Sequence, residues 1–245
     1  MKAWVSIAIS LILTGVFSAA SWQAMRWRVT ELQRRDYALR EFYAGENARL
    51  GPPKTGERRV VFFGDSLVKN WSMAESFPSR VTVNRGIPGQ TTEHLLLRFE
   101  QDVVALKPET VVILAGTNDL AERALKVSIQ PVLDDYAAMA EIARANGIKV
   151  IFFPILPVRY LPSNPISRRE PKHIEAVNTW LREFTRARGH GFVDCYSALA
   201  AGDGYLRPEL STDGLHLNAA GYRILAEKLQ PLLQDGDGLL GMIHD

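Results

Sequence analysis

Residues 60–67 read Val60-Val61-Phe62-Phe63-Gly64-Asp65-Ser66-Leu67, an unbroken apolar run stopped by a glycine, an acid and a serine. A strand with one wet face alternates polar and apolar residues; a continuous run implies burial on both faces, as in a parallel sheet between helix layers. The run predicts a strand over residues 59–63 followed by a tight turn that Gly64 permits. Residues 110–114 (Thr-Val-Val-Ile-Leu) and 149–153 repeat the pattern, with shorter runs at 81–83 and 191–194. Between them, apolar residues recur at helical spacing over 92–106, 128–146, 170–188 and 218–233, with Gly147 as a stop and Asn218 as a cap. Alternating strands and helices predict an α/β fold with a parallel sheet. Right-handed crossovers bring the carboxyl ends of the strands to one edge, where ligands of such sheets bind.

Four short segments fall on that edge or just before a helix. They are Gly64-Asp65-Ser66-Leu67, Gly86 within Asn84-Arg85-Gly86-Ile87-Pro88-Gly89, Gly116-Thr117-Asn118-Asp119, and Asp213-Gly214-Leu215-His216. A serine hydroxyl needs a base to take its proton before it attacks a carbonyl. Of the five histidines, His94 and His173 fall in predicted helices, His190 beyond the wrong end of a strand and His244 in the tail. His216 remains, with Asp213 three residues earlier to hold its far nitrogen. Attack leaves charge on the carbonyl oxygen, which preorganised N–H groups must meet. The backbone of Ser66, the backbone of Gly86 and the side-chain amide of Asn118 are the expected oxyanion donors. Leu67, Ile87, Leu120 and Leu215 are the expected substrate-lining residues, and Arg159 and Tyr160 the nearest polar candidates for a leaving group. Each segment has a plainer reading, as a helix cap, a turn or a surface pair; their joint order argues for the chemical one.

The four segments together resemble the SGNH hydrolase superfamily, also called GDSL esterases and lipases. Ser66, Gly86, Asn118 and His216 match its four lettered positions and Asp213 its triad acid. The wording is nearest to bacterial members close to the platelet-activating-factor acetylhydrolase catalytic-subunit group. The resemblance implies a flavodoxin-like three-layer α/β/α sandwich with a five-stranded parallel sheet. It also implies cofactor-free hydrolysis of carboxylic esters, with short acyl chains on carbohydrates, lysolipids or small alcohols. The chain lacks the G-x-S-x-G elbow of α/β-hydrolases, and no P-loop or G-x-G-x-x-G points to a nucleotide or flavin. No second histidine or cysteine cluster accompanies Asp213 and His216, so no metal is expected. A non-catalytic binding or scaffold protein on the same fold is the alternative, disfavoured because every catalytic position is filled.

The rest of the chain sets the context. Of 245 residues, 47% are hydrophobic and 23% charged, enough for a substantial core. A net charge of +2 announces no nucleic-acid partner. Cys195, the single cysteine, forbids an internal disulfide and reads as a buried, inert thiol in the last strand. Residues 3–25 carry no charged side chain, with Lys2 before them and Arg26 and Arg28 after. Two readings stand for this N-terminal hydrophobic helix. One is a secretory signal cleaved near Ser18-Ala19-Ala20; the other is an uncleaved membrane anchor with Trp22 and Trp27 at the interface. The arginines that follow would hold the domain in the cytoplasm, whereas the leader argues for export, and an extracytoplasmic domain is expected. Residues 21–50 read as one helix, a stalk or a helix packed on the domain, ended by the Gly51-Pro52-Pro53 break. The expected organisation is residues 1–25 as membrane anchor or signal peptide, 26–56 as helical stalk and linker, 57–233 as the SGNH hydrolase domain and 234–245 as a flexible tail.

Overall fold

A computed structural model describes residues 21–23, 26, 36–121, 128–164 and 168–234. Five parallel strands form one sheet in the order β2-β1-β3-β4-β5: β1 (Val60–Gly64), β2 (Thr82–Gly86), β3 (Thr110–Leu114), β4 (Lys149–Phe152) and β5 (Gly191–Phe192). This is the doubly wound order of flavodoxin-like folds. In register, Gly64 pairs with Gly86 on one side and with Leu114 on the other, so the carboxyl ends of β1, β2 and β3 lie level.

Strand alternation splits the core into two layers. Val61, Phe63, Val111, Ile113, Val150 and Phe152 face one side. There they pack on α4 (Thr92–Asp102), α5 (Gln130–Ala145) and α6 (Pro171–Arg188). Phe62, Val112, Leu114 and Ile151 face the other side with α2 (Ser66–Lys69), α3 (Met73–Ser76), α7 (Tyr196–Leu199) and α8 (Ala219–Gln234). On that second side Trp71 stacks on Tyr222 and meets Phe62 and Phe153 edge-on. The α/β/α sandwich with a five-stranded parallel sheet is therefore present as expected.

The structure corrects several sequence-based bounds. Strand β2 runs on through the polar residues Asn84 and Arg85 to Gly86, because each finds a partner. Asn84 Nδ2 donates to the Val68 carbonyl at 2.7 Å, and the Arg85 guanidinium lies 4.5 Å over the Tyr43 ring. Strand β5 is two residues long, and Cys195 lies beyond it at the start of α7, buried, with its thiol pushed up to about 12 by burial. The single helix expected over residues 21–50 is broken. Residues 37–43 form turns, helix α1 (Ala44–Leu50) follows, and Ala38 and Tyr43 are 2% and 1% exposed. Residues 36–50 therefore pack on the domain and are not a free stalk. The expected leader lies outside the described residues except at its end, and among the described residues no helix is long and apolar enough to cross a membrane. The expected tail from residue 235 onward also lies outside them.

Candidate active site

The turn after β1 begins helix α2, whose first amides have no intrahelical acceptor. Asp65, not Ser66, is the cap: its Oδ1 accepts from the Leu67 N–H at 2.9 Å. That leaves the Ser66 hydroxyl unused by the helix, and its Oγ lies 2.9 Å from Nε2 of His216. On the far side of the ring, His216 Nδ1 is 2.7 Å from Asp213 Oδ2. An ionised carboxylate only accepts, so Nδ1 carries the proton, Nε2 is the acceptor, and Ser66 Oγ–H donates to it.

Asp213 is held by its own loop. Its Oδ1 accepts from the backbone N–H of Leu215 (2.9 Å) and His216 (2.8 Å) and from the Ser211 hydroxyl (3.2 Å). Burial pushes its carboxyl up, but the hydrogen bonds from the His216 ring and from these amides outweigh that and hold it at about 2. The loop is fixed against the end of β4's connection, where Arg159 N–H donates to the Gly214 carbonyl at 2.8 Å. All three side chains are half-buried, open to solvent on one side.

Asn118 follows β3. Its Nδ2 donates to the Gln90 carbonyl at 2.9 Å and has a longer contact, 3.3 Å, to Asp65 Oδ2. The fully buried Asp65 is raised to about 7, chiefly by desolvation. Beside Asn118, the hydroxyl of Thr92 is 2.7 Å from an oxygen of Asp119 and 2.7 Å from an oxygen of Asp135. One hydroxyl proton cannot serve both carboxylates at once, and burial raises the pKa of both acids.

Gly86 does not have the surroundings the sequence suggests. It is the buried last residue of β2, and its N–H donates to Asn84 Oδ1 at 3.0 Å. A Cβ there would lie 2.2 Å from the backbone nitrogen of Lys69 and 2.7 Å from the Asp65 carbonyl. Its lack of a side chain serves close packing of β2 on α2, and its amide is already engaged. Gly89, three residues on, is exposed with φ +79°, and its N–H meets no acceptor among the described residues. Leu67, Ile87, Leu120 and Leu215 are all buried; they form the apolar floor under the site and not an open lining. The Arg159 guanidinium is spent on the Leu206 carbonyl (2.7 Å) and Asp203 (3.1 Å). Residues 122–127 and 165–167, in the loops that follow β3 and β4, lie outside the described residues. The sequence reading gave no part in the site to Asp65, Gln90, Thr92 or Asp135. Asp65 lay inside a quoted segment; the others carry no local signal, because their partners are distant in the chain.

A parallel α/β sheet with serine, histidine and aspartate linked at its carboxyl edge defines a hydrolase of the SGNH superfamily. The chain belongs to the GDSL-like Lipase/Acylhydrolase family, which it matches over residues 62–224. Platelet-activating factor acetylhydrolase IB subunit alpha1 of Rattus norvegicus is 30% identical over 187 residues, covering 74% of this chain and 77% of the relative. The crystal structure of a GDSL-like lipase from Bacteroides thetaiotaomicron superimposes with a TM-score of 0.76 at 34% identity, covering 82% of this chain and 99% of that one. The lipase/acylhydrolase of Enterococcus faecalis shares the fold at a TM-score of 0.61 and 23% identity, over 73% of this chain and 96% of its own.

Proposed function

We propose that this hydrolase cleaves carboxylic esters with short acyl groups through an acyl-enzyme on Ser66. The observation that carries the reading is the unbroken hydrogen-bond chain from Ser66 Oγ through His216 to Asp213. His216 Nε2 takes the hydroxyl proton as Oγ attacks the carbonyl carbon, and Asp213 stabilises the imidazolium that results. The imidazolium then gives that proton to the departing alcohol, leaving an ester on Ser66. A water molecule, deprotonated by the same nitrogen, releases the acid in the second half.

The developing oxyanion needs donors with free hydrogens. Ser66 N–H heads a helix, and Asn118 has one amide hydrogen on Gln90 and a second held only by the long contact to Asp65. For the backbone glycine we assign Gly89, since the Gly86 N–H is engaged by Asn84. A relative named as an acetylhydrolase supports the choice of a short acyl group. The alcohol is a carbohydrate, a lysolipid or a small alcohol. The uncharged residues 3–25 support delivery to a membrane by the secretory route, with the hydrolase domain outside the cytoplasm.

Ser66→Ala tests the centre of this reading. The variant should fold, lose hydrolysis of p-nitrophenyl acetate and lose labelling by a fluorophosphonate probe, which in the parent chain should map to Ser66. Label on another serine of a folded, active sample would overturn the assignment.

A further inference from the structure

Residues 36–50 precede the matched family region, yet they reach the site through one residue. Gln90 is 3% exposed, and each of its polar groups on the inner side is committed. Its Nε2 donates to the carbonyl of Ala38 at 2.8 Å, and its Oε1 accepts from Arg98 Nε at 2.6 Å. Its backbone carbonyl accepts from Asn118 Nδ2 at 2.9 Å. Gln90 thus joins the N-terminal segment, by its side chain, to the amide of Asn118, by its main chain.

The clasp rests on a fixed base. Arg98, fully buried, pairs with Asp102 at 2.9 Å and donates to the carbonyls of Gly64 (3.0 Å) and Arg85 (2.9 Å). Those two carbonyls belong to the carboxyl ends of β1 and β2. The N-terminal segment adds further ties. Tyr43 O–H donates to the Gly86 carbonyl at 2.6 Å, and Asn47 Nδ2 donates to Asp102 at 2.8 Å while its Oδ1 accepts from Arg85 Nε at 2.8 Å. Buried polar groups that lose a partner bear the full cost of desolvation, so this network has one low-energy arrangement. A donor aimed at an oxyanion gains its effect from being held in advance of the reaction.

We propose that Gln90 is a positioning residue: clasped between Ala38 and Arg98, its carbonyl aims the Asn118 amide into the site. Residues 36–50 thereby belong to the catalytic unit. The inference rests on the ester-hydrolase reading above and adds to it a component from outside the family's matched region.

The test is a double-mutant cycle in the full-length chain, with kcat and KM measured on p-nitrophenyl acetate and melting followed in parallel. Gln90→Met should lower kcat by about tenfold with little change in KM. In an Asn118→Ala background the same substitution should change kcat by less than about twofold, because the group it orients is gone. A general loosening of the fold would instead lower kcat by the same factor in both backgrounds, and that result, or an unchanged kcat, overturns the proposal. If Gln90→Met does not fold, Gln90→Glu carries the same cycle: it keeps the acceptor for Arg98 and replaces the donor to Ala38 with a carboxylate oxygen that breaks that tie. A parent chain that neither hydrolyses the ester nor takes the fluorophosphonate label would refute the hydrolase reading, and this inference with it.

Discussion

Asp213→Asn alters one atom of the carboxylate, and the loop around it dictates the outcome. The amide must choose which way to face. With its oxygen toward the N–H groups of Leu215 and His216 it keeps both of those bonds and the Ser211 contact. Facing the other way sets its NH2 against two backbone donors and regains only the His216 Nδ1–H bond. Losing two bonds to gain one disfavours that state by about 1–3 kcal/mol. The first orientation therefore prevails, and it presents an N–H donor to His216 Nδ1. The ring answers by moving its proton to Nε2, the nitrogen that must accept from Ser66. A wrong tautomer in a triad costs roughly 10⁴ in kcat, or about 5.4 kcal/mol of barrier. The measurement is kcat on p-nitrophenyl acetate with a thermal melt to establish folding. A folded variant within tenfold of the parent would refute the claim that Asp213 sets the tautomer.

Three further outcomes are expected. Gly86→Ala forces a Cβ into backbone atoms at 2.2 and 2.7 Å and should destabilise by about 3 kcal/mol or more; a melt like that of the parent would defeat the packing role. Asp65, raised from 3.8 to about 7 mainly by burial, binds more protons folded than unfolded, so its cost to stability grows as pH rises from about 4 to 7 and is flat above. Asp65→Asn should then gain stability on the parent across that window, by on the order of a few kcal/mol in urea titrations, and a difference independent of pH would contradict the shift. For the leader, the full chain should stay in the pellet after an alkaline carbonate wash if the helix is uncleaved, or appear as a species beginning near Ser21 if it is cleaved; soluble protein retaining Met1 would rule out both.

Strands β1 and β3 were legible within a residue, because a run such as Val60–Phe63 needs both faces covered and says so locally. The long helices were legible for the same reason, their apolar residues recurring at one face. The end of β2 was not. Asn84 and Arg85 look like turn residues until Val68, Tyr43 and Asn47 supply their partners, and no local pattern foretells partners 16 to 42 residues away. The same limit hid the engagement of the Gly86 amide, on which our assignment of Gly89 rests. Gly86 and Gly89 are equivalent as letters, and the difference lies in a side chain at 84 that folds back onto one of the two amides. Arg98 reads as surface charge in a helix, but Asp102, Gln90 and two carbonyls make it a core residue. The grouping of Ser66, His216 and Asp213 was legible because their types fit one chemistry and each sits at the end of a strand or the mouth of a helix.

The hydrogen bond between Ser66 and His216 spans 150 residues of chain, and that between Tyr222 and the Leu67 carbonyl, at 2.8 Å, spans 155. During synthesis the nucleophile turn leaves the ribosome first, and at about 5–20 residues per second roughly 8–30 s pass before its base is made. Throughout that interval the serine has no proton acceptor, and the aromatic layer that backs its helix lacks Tyr222. On the proposed mechanism, a chain cut short anywhere before residue 216 lacks the base that Ser66 needs. On that mechanism competence arrives with about the last eighth of the polypeptide, so the growing chain gains its hydrolytic activity only when almost all of it has been made.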